Sequence, residues 1–330
     1  MPSIQKAEAY WFKDATRVAN SLPHGPFERN GRWNRSRILT HGWTGGGYKD
    51  SSPWKNVNRC NHAADSQTNI GDKLSWAGSY IDGGWSDTHF YCFALQDSYA
   101  GTDDDAWRMQ SSNESGQSMQ NAMAAVKTDL GVFMDYHHQG HHLYTMGGSN
   151  STVDKVNMNN NSFGTAAGAP NGAEYTSSCQ GRLRGWTSIG GSDHYYTFAN
   201  NTWSNYGSAP GTDGWGKANS SYMGHFYMKN GGNCTASICK NNDYTGTNIT
   251  TASWVDTSGE ENYQQGNFKG FCCGHYSSAG QNNNTYKMSY SSDVSASTQN
   301  VSGHAGMSSA ACGSTPNFVN TGYGVTPPSY

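Results

Sequence analysis

Trp186-Thr-Ser-Ile-Gly-Gly191 and the segment after it, Asp193-His-Tyr-Tyr-Thr-Phe-Ala-Asn-Asn-Thr-Trp203, indicate the fold of this 330-residue chain. The first segment predicts a short strand that ends in a glycine pair. In the second, Tyr196 and Phe198 alternate with polar residues, which is typical of a strand with one packed face. Asn200-Asn201 predicts a hairpin turn, because Asn tolerates positive φ. Trp203 then opens the next strand.

The same phrase recurs along the chain, with a glycine pair or cluster after an apolar stretch. The last glycines of the copies lie at 47, 84, 148, 191, 232, 274 and 324, so the intervals are 37, 64, 43, 41, 42 and 50 residues. These values centre on the repeat length of a β-propeller blade, about 40–50 residues. The longest interval contains residues 97–129, which the spacing predicts to be an insert. The glycines are expected to permit close backbone approach and positive φ where the second strand of each blade ends.

The two chain ends predict how the ring closes. Residues 10–23 resemble a third and a fourth strand without a preceding glycine pair, and residues 304–324 resemble a first and a second strand. Six whole units and this composite unit predict an all-β fold: a seven-bladed β-propeller of four-stranded antiparallel blades. One blade would combine about 4–23 with 303–324, and residues 1–330 would form a single domain. Closure of this kind removes exposed sheet edges.

Composition excludes several other classes. Charged residues make up 14% of the chain and the net charge is -3, which does not suit a nucleic-acid binder. The sequence has no apolar run of about 18 residues that would predict a membrane span. Its 11 Trp, 20 Tyr and 11 Phe argue against disorder. The N-terminal residues have no apolar signal-peptide core, so secretion is not expected.

The repeat resembles Kelch repeats, in which a hydrophobic strand, Gly-Gly, a Tyr-x-Phe strand and a Trp after a turn follow one another. The resemblance is closest at 178–209 and 216–257, extends to 119–169 and 266–301, and is weak at 32–75 and 75–113. It implies propeller architecture. The resemblance also suggests copper-dependent oxidase activity like that of galactose oxidase, which needs a Cys near a Tyr. Tyr91 and Cys92 are adjacent in a predicted strand, so their side chains should diverge, and an oxidase is not favoured.

Eight cysteines, at 60, 92, 179, 234, 239, 272, 273 and 312, show no paired zinc-binding spacing. Buried free thiols in strands are the favoured interpretation. Cys234 and Cys239 are the pair to test first for a disulfide. The neighbours Cys272 and Cys273 are expected on opposite faces of one strand.

Few residues stand out as site candidates. The cluster at 137–142 could bind a transition metal through its imidazoles, or could be a solvated turn or a pH sensor. Asp103-Asp104-Asp105 is interpreted as a solvated loop, with Ca²⁺ binding as the alternative. The metal candidates are His137, His138, His141 and His142, and the candidates for a binding surface are Trp54, Trp215, Arg29, Arg32, Arg35 and Arg37. No catalytic motif and no cofactor-binding motif is present.

The whole chain also resembles the Gly/Ser/Asn/Tyr-rich propellers found among virion proteins of tailed phages, notably T4-like phages of marine cyanobacteria. Polar units such as residues 51–72 carry this resemblance. It implies a non-enzymatic structural or decoration component of a virion, present in several copies on a tail, neck, fibre or capsid. Its partners would be other virion structural proteins, with no nucleic acid and no membrane. The alternatives are an adhesion module that binds a carbohydrate or receptor, such as a host surface glycan, and a cytosolic Kelch-type scaffold or propeller oxidase.

Overall fold

The computed structural model describes much of the chain between residues 41 and 315, and every described regular element is a β-strand. No described segment forms a helix that could cross a lipid bilayer. Within 41–315, the description omits 50–51, 63, 79–80, 87, 96–104, 120–129, 136–141, 148–149, 159, 169–176, 181–183, 190–191, 208–219, 223–224, 231–234, 241–245, 251–262, 266–268, 278–279, 290–293 and 301–310.

Short strands follow one another along the whole described chain. They are β1 (His41–Gly45), β2 (Tyr48–Lys49), β3 (Ser52–Pro53), β4 (Asn56–Asn61), β5 (Ser66–Asp72), β6 (Asp82–Trp85), β7 (His89–Leu95), β8 (Asp105–Gln110), β9 (Ser115–Ser118), β10 (Leu130–Asp135), β11 (His142–Gly147), β12 (Asn150–Asn157), β13 (Ser162–Gly168), β14 (Ser177–Gln180), β15 (Arg184–Ile189), β16 (Ser192–Thr197), β17 (Thr202–Gly207), β18 (Ser220–Tyr222), β19 (His225–Asn230), β20 (Thr235–Lys240), β21 (Gly246–Thr250), β22 (Tyr263–Gln265), β23 (Lys269–Ser277), β24 (Gly280–Ser289), β25 (Val294–Asn300) and β26 (Ala311–Thr315).

These strands form four-stranded antiparallel sheets, of which the described residues contain six. Sheet 1 has the order β26-β1-β4-β5, and β2 pairs with β3 as a separate hairpin. Sheets 2 to 6 each take four consecutive strands: β6–β9, β10–β13, β14–β17, β18–β21 and β22–β25. We number the strands of a sheet first to fourth in this order, so β26 is the first strand of sheet 1. The all-β prediction is confirmed. The predicted units at 119–169, 178–209 and 216–257 each cover the four strands of one sheet to within one residue, whereas the units at 32–75, 75–113 and 266–301 each contain three strands of a sheet.

The strand β26 connects the two ends of the described chain. It pairs with β1, from His41 opposite Thr315 to Gly45 opposite Ala311. The predicted blade that combines 4–23 with 303–324 stays a prediction, because residues 4–23 lie outside the described residues. The unit at 32–75 supplies only three strands of its own, and β26 completes it. The described residues therefore contain six four-stranded sheets, and a seventh blade stays a prediction.

The glycine pairs occur at two different places in the sheets. At the end of β1, Gly46 and Gly47 have φ of 68° and 97°, as expected where a second strand ends. Gly83 and Gly84, however, lie inside β6, which is a first strand. This shift explains the long interval in the repeat. Residues 97–129, predicted to be an insert, contain β8 and β9, which are the third and fourth strands of sheet 2.

The third and fourth strands of sheets 1 to 4 are joined by the same kind of turn. Each connection has four residues, and its last residue adopts a left-handed conformation. Asn201 has φ of 53°, which confirms the predicted turn at Asn200-Asn201. The other three residues at this turn position are Asp65, Glu114 and Asn161, with φ of 50°, 56° and 57°.

Sheet 3 packs against neighbouring sheets on both of its faces. Alternation along β11 shows how this works. Leu143 joins a cluster with residues of sheets 1 and 2, whereas Tyr144 joins a cluster with Tyr196 and Phe198 of sheet 4. The Tyr144 ring centroid lies 4.9 Å from that of Tyr196. Because side chains on both faces of such a strand are buried, apolar residues occur at successive positions of its sequence.

Each first strand contacts the first strands of two other sheets, and these contacts lead from sheet to sheet and back to the first one. β6 contacts β26 and β10, β14 contacts β10 and β18, and β22 contacts β18 and β26. A buried carboxylate supports one of these contacts. Asp82 of β6 accepts a hydrogen bond from the backbone N–H of Val132 in β10 at 2.8 Å, and another from Gly83 at 2.7 Å.

Gly84 lies where β6 approaches sheet 3 most closely. A Cβ atom at this position would lie 2.5 Å from Cδ2 of Leu143 and 3.2 Å from Cγ1 of Val132. We expect Gly84→Ala to lower the free energy of unfolding by about 1–3 kcal/mol, because the added methyl overpacks the contact. Urea denaturation followed by tryptophan fluorescence measures the change.

Gly164→Ala is the matched control. Gly164 also lies inside a strand, and a Cβ there would have no atom within 4 Å. Its stability should stay within about 0.5 kcal/mol of the wild type. Equal destabilisation of both variants would contradict the close approach of sheets 2 and 3 at Gly84.

Candidate functional site

Most site residues predicted from sequence fall outside the described residues. His142 is the exception within the histidine cluster: it begins β11, is half-buried, and its ring centroid lies 6.2 Å from that of Tyr144. Trp54 is also described, and is half-buried between β3 and β4. The candidates outside the described residues are His137, His138, His141, Trp215, Arg29, Arg32, Arg35 and Arg37.

The structure reveals a second repeat, which the sequence analysis missed. Every second strand begins with an imidazole or a cationic residue, and an aromatic residue follows two positions later. We call the sheet ends where these strands begin the histidine edge. The pairs are His41 and Trp43, His89 and Tyr91, His142 and Tyr144, Arg184 and Trp186, His225 and Tyr227, and Lys269 and Phe271.

Strand geometry explains the spacing, because residues two apart lie on the same face of a sheet. The ring centroids of His41 and Trp43 are 6.2 Å apart, and those of His89 and Tyr91 are 6.0 Å apart. Trp43 and Tyr91 are fully buried. The aromatic ring therefore anchors the strand between sheets, while the imidazole lies nearer its end.

The third strand often places a cation opposite the aromatic residue. The register pairs Trp43 with Arg59, Tyr91 with Arg108, Tyr144 with Lys155, and Phe271 with Lys287. In sheet 3, Nζ of Lys155 lies 5.5 Å from the centroid of the Tyr144 ring, which is a cation–π contact.

Arg59 and Arg108 also make polar contacts. Arg59 forms an ion pair with Glu114, which belongs to the turn between β8 and β9. The contact joins sheet 1 to sheet 2. In sheet 2, Arg108 donates a hydrogen bond to Oε1 of Gln117 at 2.9 Å. The basic side chains near the histidine edge thus help to hold neighbouring strands and sheets together.

Burial and two of these cations favour the neutral forms of His41 and His89. Burial, and then the charge of Arg59, lowers the pKa of His41 from 6.5 to about 4. Burial, and then the charge of Arg108, lowers the pKa of His89 in the same direction. A neutral imidazole offers one hydrogen-bond donor and one acceptor. At neutral pH this part of the edge can form directional hydrogen bonds without adding charge.

The copper alternative depends on Tyr91 and Cys92, which lie next to each other in β7. Both side chains are fully buried. Burial raises the pKa of Tyr91, and burial together with the charge of Asp82 raises the pKa of Cys92 well above its usual range. Their environment favours the protonated forms, which suits packing better than ligation of a metal ion. The described residues contain no group of three or more His, Cys, Asp or Glu that could hold a metal ion.

Two cysteines agree with the predicted buried thiols in strands. Cys60 and Cys92 are buried and form no disulfide, and each lies within a strand. Cys272 and Cys273 lie in the single strand β23, as expected. Cys234 lies outside the described residues, so a disulfide with Cys239 stays a prediction.

His41 makes stability depend on pH. Its pKa is about 4 in the folded protein and about 6.5 when the chain is unfolded, so only the unfolded state takes up this proton between those values. Stability should therefore fall as the pH is lowered from about 6.5 to 4, and His41→Gln should remove this part of the fall. We expect a difference on the order of 1–2 kcal/mol between pH 7 and 4.5, reduced by partial solvation of the imidazole. Urea denaturation of both proteins across this range measures it, and parallel pH profiles would refute the role of His41.

Comparisons with known proteins give no family for this chain. No protein-family model matches the sequence, and no curated protein is significantly similar to it. The function has to be inferred from the chemistry and arrangement of the sheets.

Proposed function

We propose that the chain is a closed six-bladed β-propeller that serves as a non-enzymatic protein–protein interaction platform in a virus particle. Its blades are sheets 1 to 6, and its closing blade is sheet 1. The main supporting observation is that the contacts between first strands lead from sheet to sheet and back to sheet 1, where β26 contacts both β6 and β22. A ring of this kind is rigid because every blade packs against two neighbours.

The side chains between the sheets favour a structural role. Trp43, Trp107 and Tyr144 are fully buried there. The Tyr144 ring of sheet 3 packs against the Tyr196 ring of sheet 4, with ring centroids 4.9 Å apart and planes at 50°. Such aromatic contacts fix neighbouring sheets relative to one another. The interior is therefore used for packing, and the ends of the sheets are left for recognition.

A virus particle fits the composition. Charged residues are only 14% of the chain, whereas Gly, Ser, Asn and Tyr are abundant. Surfaces that are buried against other proteins are depleted in charged side chains and enriched in Tyr and Trp. The resemblance to virion propellers of tailed phages points in the same direction. The partners would be other virion structural proteins, and the chain would be present in several copies on a tail, neck, fibre or capsid.

A disulfide across the closing blade tests the ring. Thr44 is opposite Cys312 in the register of β1 and β26. Directly opposed residues in an antiparallel pair have Cα atoms about 4.5–5.5 Å apart, which is within the range of a disulfide. We expect Thr44→Cys to form a disulfide with Cys312 on oxidation. Peptide mapping by mass spectrometry would identify the cross-linked peptide.

The variant Thr44→Cys with Cys312→Ser is the control, and it should give no such peptide. Thermal denaturation of both proteins under oxidising and reducing conditions shows whether the bridge is compatible with the fold. If Thr44→Cys folds but its only disulfides join other cysteines, the proposed closing blade is wrong.

Mass spectrometry of purified virions tests the location in a particle. We expect the chain in particles of a phage whose genome encodes it, at several copies per particle relative to the major capsid protein. Particles treated with nuclease and washed in high salt exclude loosely adsorbed protein. Absence of the chain from such particles, with other structural proteins detected, would overturn the virion proposal and leave the propeller untouched.

A further inference from the structure

The longest described link between a second and a third strand lies in sheet 1. Ten residues, 46–55, join β1 to β4 and contain the hairpin β2–β3. In sheets 3, 4 and 6 the equivalent strands are separated by only two residues: 148–149, 190–191 and 278–279. A two-residue turn is sufficient to connect such strands. The additional residues in sheet 1 therefore require another explanation.

Backbone hydrogen bonds fix this segment to the connection between sheets 1 and 2. Trp54 donates to the carbonyl of Gly47 at 2.9 Å, and its own carbonyl accepts from Gly78 at 3.0 Å. The carbonyl of Lys55 accepts from Lys73 at 3.1 Å and from Leu74 at 3.0 Å. Backbone hydrogen bonds thus join segments 52–55 and 73–78, and we call the two segments together the tryptophan platform.

The platform carries two partly exposed tryptophans with polar neighbours. Trp54 and Trp76 are half-buried, and Trp76 also packs against the hydrophobic core. Lys55 and Ser75 are exposed, and Nζ of Lys55 donates to the carbonyl of Ser75 at 3.3 Å. Each of these tryptophans is thus the sequence neighbour of an exposed polar residue, and the two polar residues are hydrogen-bonded to each other across the adjoining segments.

We propose that the tryptophan platform binds a sugar unit of a glycan. Pyranose rings present C–H groups on their faces and hydroxyl groups around their rims. An indole ring packs against the C–H face, and ammonium and hydroxyl groups bond to the rim. A rigid aromatic side chain also loses little entropy on binding.

Size favours a sugar over a protein partner. A stable protein interface buries about 800 Å² on each side and uses about 20–30 residues. The platform consists of ten residues, 52–55 and 73–78, of which two are partly exposed tryptophans. A monosaccharide or disaccharide matches a surface of this extent. This site is independent of the proposed role as a particle component.

The experiment is binding of the purified chain to an array of neutral and anionic oligosaccharides, followed by calorimetric titration of the strongest binder. We expect Trp54→Ala to weaken that binding by about tenfold or more, which is the usual size of the loss of one aromatic stacking contact. Trp54→Phe should recover part of the affinity, because it restores an aromatic face. Thermal denaturation of each variant reports on folding.

Trp203→Ala is the matched control. Trp203 is also half-buried, but it belongs to sheet 4, where its ring centroid lies 5.1 Å from that of Tyr196. Its glycan affinity should equal that of the wild type. The proposal is overturned if no glycan binds the wild-type chain, if Trp54→Ala binds as tightly as the wild type, or if Trp203→Ala loses as much affinity. If Trp54→Ala does not fold, Trp54→Phe and Lys55→Gln provide the test, and unchanged affinity in both overturns it.

Discussion

Pairing between β26 and β1 is the contact on which the rest of the fold depends. Five residue pairs join strands from opposite ends of the described chain. Without them, β1 would be an exposed strand edge, which invites aggregation. The first strands β6 and β22 would each also lose a neighbour, because both contact β26. One strand thus completes a sheet and links the sheets on either side of it.

Packing on both faces explains much of the unusual composition. Twisted sheets that pack face to face leave space that side chains must fill. Large aromatic rings such as those of Trp43 and Trp107 are fully buried and help to fill it. Glycine occupies points of close approach: a Cβ on Gly45 would lie 3.2 Å from atoms of Phe90 and Cys92. Among the described residues the buried side chains are mostly apolar or aromatic, and the buried carboxylates are those of Asp82 and Asp154.

Local features of the fold were predictable from the sequence. Alternation around Tyr196 and the Asn200-Asn201 turn are encoded within a few residues, and both are found where expected. The six units at 32–301 were recognisable because each repeats the same strand and turn chemistry. A resemblance of this kind identifies units without stating which strands pair between distant parts of the chain.

The features that depend on distant contacts were less predictable. Gly84 is required by the side chain of Leu143 in the next sheet, so its position did not mark the end of a second strand. The partner of β26 depends on which strand edge remains open once the other sheets have formed. The histidine edge was visible in the sequence, since His41, His89 and His225 each precede an aromatic residue by two positions. It was missed because glycine pairs gave the stronger signal, and because His at a strand end resembles a solvated residue.

The connections between third and fourth strands have the same length in sheets 1 to 4, whereas those between second and third strands vary in length. At the histidine edge, sheets 1 to 4 use one four-residue turn that ends in a left-handed residue such as Asp65 or Asn201. Steric limits on positive φ keep that turn uniform. At the opposite end, the links from second to third strand range from two residues to the ten of 46–55. Loops of variable length on a rigid scaffold are where proteins acquire binding sites. Recognition is therefore expected to differ between sheets at that end, and the tryptophan platform includes part of the longest of these links.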